Sequence, residues 1–114
     1  MPVRVNEVET LKEYFSAVVK RSEHHAPNVN EVIYTLLGLI ILSMDENSDI
    51  QVRGSEGSTG NMLWFIVSGN RYALRYEHAD DTIEIRKDSY KGALVAKINN
   101  ATPTADLKNI FYNL

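Results

Sequence analysis

The chain reads as an α+β protein: an antiparallel sheet of about five strands, with two N-terminal helices and one C-terminal helix packed mainly on one face. Three observations carry that reading. Residues 62–87 hold three consecutive strand-like runs separated by two turn signals. Apolar residues recur at helical spacing in two stretches before this meander and in one after it. The strands follow one another without an intervening helix, which suits antiparallel pairing with helices segregated to one face.

The first element is a helix over residues 7–21. Val8, Leu11, Phe15 and Val18 make one apolar stripe. Asn6 stands at the N-cap, with Glu7 and Glu9 in the first turn and Lys20 and Arg21 in the last, matching the helix dipole. Residues 22–27 connect it to a second helix, over residues 29–44. Asn28 and Glu31 have the spacing of a capping box, and Pro27 stops the chain just before it. The run from Leu36 to Leu42 is apolar nearly all round, as in a helix buried on more than one side. It is too short to cross a bilayer, which needs about 20 apolar residues. Such a helix lies under the sheet and against helix one, or lends part of itself to a subunit interface. Asn30, Glu31, Tyr34, Thr35 and Gly38 share its other side, and Gly38 would let a second helix come close. A competing reading ends the helix at Gly38 and makes residues 39–44 a strand.

Residues 45–49 form a turn and residues 50–53 a short strand, paired with residues 62–67 through the loop 54–61. The meander can be registered residue by residue. A turn at Gly69-Asn70 pairs Val67 with Tyr72, Phe65 with Leu74 and Leu63 with Tyr76 on one face. Ile66 then faces Ala73, and Trp64 faces Arg75, on the other. The turn His78–Asp81 pairs Tyr76 with Ile83, Leu74 with Ile85 and Arg75 with Glu84. Two independent turns choose the same core face, and a one-residue slip would expose the whole apolar set. Residues 88–91 make the next turn. Residues 92–99 make the last strand, with Leu94, Ala96 and Ile98 pointing inward. The final helix starts with Thr102 as N-cap and Pro103 in the first helical position, and Leu107, Ile110, Phe111 and Leu114 form its stripe.

The length of 114 residues suits a single domain over residues 1–114 with one core. The absence of cysteine excludes disulfides, thiolate catalysis and cysteine–zinc sites. The N-terminus shows no signal-peptide core, so a cytoplasmic location with no membrane contact is expected. A net charge of −3 argues against a dedicated nucleic-acid binder. Charge is uneven: residues 1–49 hold four Lys/Arg against eight Asp/Glu, and residues 50–98 hold seven against six.

No motif names a reaction. Asp45, Asn47, Asp49 and Glu56 sit at calcium-loop positions, but Ile50 stands where the loop needs glycine and a strand follows where a helix should. His24 and His25 are adjacent and do not converge on a metal. The glycine-rich stretch 54–60 lacks the lysine and the following helix of a phosphate loop. His78, Asp80 and Asp81 complete no nucleophile–base set. No catalytic residue, metal or cofactor is expected. The outer sheet face is the candidate surface, carrying Trp64, Arg75 and Glu84 in one row and Ile66, Ala73 and Arg86 in the next. Arg53, Lys91 and Lys97 extend it. Trp64, Ile66, Arg75 and Arg86 are the candidate partner- or ligand-binding residues. The bland alternative has Trp64 under the Arg75 stem and Arg75 paired with Glu84.

The meander from Gly69 to Glu77 with Thr82–Lys87, followed by Thr102-Pro103-Thr104-Ala105-Asp106-Leu107, resembles small orphan proteins encoded on mobile integron gene cassettes. That resemblance implies a compact α+β fold, frequent self-association and no established activity. The residues together indicate a non-catalytic binding protein acting as a homodimer, with a protein or small molecule as a further partner. One rival is a small-molecule-binding protein or enzyme, with a pocket lined by Tyr72, Tyr76 and Tyr90. The other is nucleic-acid binding on the Arg75 face.

Overall fold

The computed structural model describes Lys12, Phe15, Ser16, Val19, Lys20 and residues 28–52, 62–77, 79–89 and 91–114. It is an α+β fold built on an antiparallel sheet with helices against one face. In chain order the elements are helix α1 (Val32–Ser43), the two-residue edge strand β1 (Gln51–Val52), strands β2 (Met62–Val67), β3 (Asn70–Glu77), β4 (Thr82–Lys87) and β5 (Leu94–Ile98), and helix α2 (Thr104–Tyr112). The sheet order is sequential, so its body is a four-strand meander with β1 at the edge. Of the helix expected over residues 7–21, the five described positions are helical, and Phe15 and Val19 pack against the core. The rest of that helix lies outside the described residues.

The core fills the space between the inner sheet face and the helices. Val29, Val32, Ile33, Leu36, Leu37 and Ile40 supply one side. Leu63, Phe65, Val67, Tyr72, Leu74, Ile83, Ile85 and Ile98 supply the sheet side, and Leu107 and Phe111 of α2 complete it. Phe65 stacks on both Tyr72 and Phe111, with centroids 5.8 and 6.0 Å away. Each fully buried side chain of this size contributes roughly 1.5–3 kcal/mol. Every core residue assigned from the meander's register lies on the inner side, with Tyr76 only partly buried. Helix α1 continues through Gly38 to Ser43, so residues 39–44 are not a strand.

The register itself differs in one hairpin. The β2–β3 turn is Ser68-Gly69, not Gly69-Asn70, so Val67 pairs with Asn70, Phe65 with Tyr72 and Leu63 with Leu74. Moving a two-residue turn by one position shifts the pairing by two, and a shift of two keeps every side chain on its face. Ser68 and Gly69 have φ of 52° and 79°, the positive pair that a type I′ turn requires. The cause is tertiary. The Asp45 carboxylate accepts the backbone N–H of Ser68 at 2.7 Å and of Gly69 at 2.8 Å, and Asp45 N–H donates to the Ile66 carbonyl at 2.8 Å. The second hairpin pairs as expected: Glu77 with Thr82, Tyr76 with Ile83, Arg75 with Glu84 and Leu74 with Ile85.

Three further expectations are corrected. Leu94 is not inward: the β4–β5 ladder slips between Ile85 and Arg86, so Ala96 opposes Ile85 while Leu94 opposes Arg86 on the outer face. One extra residue in β5 reverses the alternation beyond it. The Asn28–Glu31 capping box does not form. Instead the Asn100 side chain, from the β5–α2 loop, accepts the N–H groups of Glu31 at 3.0 Å and Val32 at 2.9 Å. Its Nδ2 donates to Asn30 Oδ1, and its backbone N–H donates to the Asn28 carbonyl. Asn28 turns its own amide to the Asp81 carbonyl at 3.2 Å. Likewise Thr102 does not cap α2: its hydroxyl accepts Asn99 N–H, and Pro103 occupies the N-cap position.

Because the N-terminal donors of α1 are held by Asn100, Asn100→Ala is expected to cost about 1–2 kcal/mol. Asn28→Ala, which removes one exposed bond, is expected to cost less than half as much. Urea unfolding checks the order, and an equal or reversed order would place the cap at Asn28.

Candidate functional site

The corrected register redraws the outer face. Gln51, Trp64, Ala73, Arg86 and Leu94 form one cross-strand row; Arg75, Glu84 and Lys97 form the next; Ile66 opposes Arg71. The candidate residues Trp64, Ile66, Arg75 and Arg86 therefore do share the face, but in different neighbourhoods.

Arg75 and Arg86 belong to a buried charge network. Glu84 is 2% exposed although it lies on the outward side. Arg86 grips it with two bonds, Nε to Oε1 at 2.9 Å and Nη2 to Oε2 at 3.2 Å, and donates Nη1 to the Gly92 carbonyl at 2.9 Å. Arg75 Nη1 lies 3.5 Å from Glu84 and 3.0 Å from Glu77. Lys97 lies 3.8 Å from Glu84 and pairs with Asp80. The Arg86 hydrogen bonds hold the Glu84 carboxyl below its ordinary range, against the opposing effect of burial. The same contact pushes Arg86 up. Asp80 is lowered by its bond to Lys97 and then by Thr82. At the neighbouring turn, the Asp81 carboxylate accepts the Tyr76 hydroxyl at 2.6 Å and pushes that phenol up to about 12. Two arginines that bind one buried carboxylate are structural side chains first.

Trp64 and Ile66 lie elsewhere. The residue over Trp64 is Arg71, with its guanidinium carbon 5.1 Å from the ring centroid, and not Arg75. Arg71 Nη2 donates to Gln51 Oε1 at 3.2 Å, and Nη1 lies 3.7 Å from the exposed Asp88 carboxylate. Gln51, Trp64, Ile66 and Arg71, together with the Asn47–Asp49 turn and the strand at Phe65, line an open groove of about 430 Å³. Sequence reasoning missed Arg71, because a two-residue error in pairing exchanges the arginine that neighbours Trp64. It also missed Asp45, weighed above as the first calcium-loop position, whose two oxygens instead hold backbone N–H groups. Of the tyrosines expected around a pocket, Tyr72 is in the core and Tyr76 is bonded to Asp81. Tyr90, His24, His25, His78, Arg53 and the loop 54–60 lie outside the described residues. Among the described residues no three metal-capable side chains come together. No described helix is long and apolar enough to cross a membrane.

Fold and surface thus define a small α+β protein with a helix-covered antiparallel sheet, a charge-neutralised outer face and a groove at one edge. A family model described as integron cassette protein VCH_CASS1 chain matches residues 11–108, and the chain belongs to that family. No curated protein matches it.

The Glu84 network carries a pH dependence. A carboxylate whose folded-state pKa is depressed stabilises the fold fully above its unfolded value, near 4.5, and loses that contribution as pH falls through the folded value. Acid unfolding of Glu84→Gln is expected to be flatter over that window. At neutral pH the same substitution is expected to cost roughly 1.5–3 kcal/mol, because Arg86 loses its charged acceptor. A wild-type slope in the variant would place the acid-labile carboxylate elsewhere.

Proposed function

We propose that this is a non-catalytic binding protein that acts as a homodimer, with helix α1 as the dimer contact. One observation carries the reading: the solvent side of α1 is apolar and uncharged. No Asp, Glu, Lys or Arg occurs from Val32 to Met44. Leu42 is 84% exposed and Ile41 45% exposed. A Cβ at Gly38, which sits on the same helix, would meet nothing within 4 Å. Surface helices of soluble proteins usually carry charge on their outward face, and a contiguous exposed apolar strip marks a contact. A surface without charge is complementary to itself, which is what a two-fold contact needs. Gly38 at its middle allows two helix backbones to approach.

The outer sheet face then remains for another partner. A nucleic-acid reading gains no support there, since Arg75 and Arg86 are engaged with Glu84 and the face alternates acid with base. Phosphate recognition requires uncommitted cations.

Sedimentation equilibrium at micromolar concentration is expected to give a dimer. Leu42→Glu is expected to yield monomers, while Trp64→Glu leaves the dimer intact. A monomer at all concentrations contradicts self-association. A dimer that survives Leu42→Glu but not Trp64→Glu moves the contact to the sheet.

A further inference from the structure

Arg71 and Asp49 bring opposite charges into one groove and do not pair with each other. Arg71 is fixed over Trp64 and uses its two terminal nitrogens toward Gln51 and Asp88. The Asp88 contact is long and its carboxylate 80% exposed, so it competes weakly. A guanidinium carries five N–H donors in a planar fork, and most of this one's are unspent. Asp49, on the facing turn, makes no ion pair or hydrogen bond among the described residues. Trp64 and Ile66, both only partly buried, line the same groove.

This combination selects a ligand class by exclusion. A simple anion would meet repulsion from Asp49 and Asp88. A simple cation would meet Arg71, which already occupies the Trp64 face. An apolar molecule would leave both charges unanswered. A short zwitterion answers both and leaves its side chain for the apolar part of the lining. The volume of about 430 Å³ lies at the lower end of small-molecule sites, which run from about 300 to 1,000 Å³. We propose that the groove binds a small zwitterion of the α-amino-acid type with an apolar side chain. Its carboxylate bridges to Arg71, its ammonium to Asp49, and its side chain lies along Ile66, beside the Arg71-covered Trp64 ring. The carboxylate would use the planar fork in the two-bond manner that favours arginine over lysine. The groove is formed within one chain and needs no second copy.

Trp64 is the only tryptophan in the sequence, so intrinsic fluorescence reads the groove directly. Titration with L-leucine is expected to give a saturable change. N-acetyl-leucine, which lacks the ammonium, and leucinamide, which lacks the carboxylate, should each bind at least about tenfold more weakly, the effect of losing one charged contact. Asp49→Asn should lower leucine to the affinity of N-acetyl-leucine, and Arg71→Gln to that of leucinamide. Calorimetry supplies a second readout where Arg71→Gln alters the tryptophan signal. No saturable response up to the solubility of leucine overturns the proposal. So does equal binding of leucine and both blocked forms. A monomer that binds leucine with this pattern contradicts the dimer alone, and a dimer that does not bind it contradicts the groove alone.

Discussion

Helix α1 is tied to the sheet at both ends by side chains that answer backbone N–H groups, and the rest of the fold is arranged around those two ties. At its start, Asn100 accepts the N–H groups of Glu31 and Val32 from the loop between β5 and α2. Just past its end, Asp45 accepts the N–H groups of Ser68 and Gly69 in the β2–β3 turn. The helix is apolar on its solvent side as well as its buried side, so apolar burial alone discriminates weakly between its rotational settings. Hydrophobic burial is non-directional; hydrogen bonds to fixed backbone groups are not. The ties therefore set where the helix lies, and burial supplies most of the free energy that holds it there.

The outward side of the sheet obeys a different constraint. A carboxylate as buried as Glu84 is costly unless it is fully answered, and Arg86 answers it with two bonds while Arg75 and Lys97 stand close. Ala73, fully buried in the adjacent row, leaves room for Arg86 to lie across the strand. The face is thereby nearly neutral at its centre. At its edge, Arg71 stacked on Trp64 meets the turn that follows α1. That turn carries both Asp45 and Asp49, so the tie that sets the hairpin also positions one wall of the groove.

Much of this was legible in the sequence, and the misses share a cause. The core face of the meander follows from alternation alone, and survives the two-residue error in the first hairpin because parity is preserved. The β3–β4 hairpin is local: its turn residues and its cross-strand pairs specify each other. The Ser68-Gly69 turn is not, since a serine at φ 52° gains its advantage from Asp45, more than twenty residues earlier. The cap of α1 comes from Asn100, almost seventy residues later, while the nearby Asn28 offers a better local pattern. Leu94 left the core through a bulge in β5, which no alternation rule announces. On the outer face, Trp64 and Ile66 stand out in the sequence because an aromatic and a branched residue are unusual there. Arg71 was hidden behind the register, and Arg75 and Arg86 looked available because the burial of Glu84 is a property of the assembled sheet.

Amide hydrogen exchange at Ser68 and Gly69 tests the tie between α1 and the sheet most directly. Both residues are exposed and sit at the two central positions of a hairpin turn, where backbone N–H groups otherwise exchange quickly. Held by Asp45, they should be protected in the native protein, and Asp45→Ala should abolish that protection while Arg75 and Glu84, paired in the far hairpin, keep theirs. Rapid exchange at Ser68 and Gly69 in the unmodified protein would contradict the tie and leave the position of α1 to apolar packing alone.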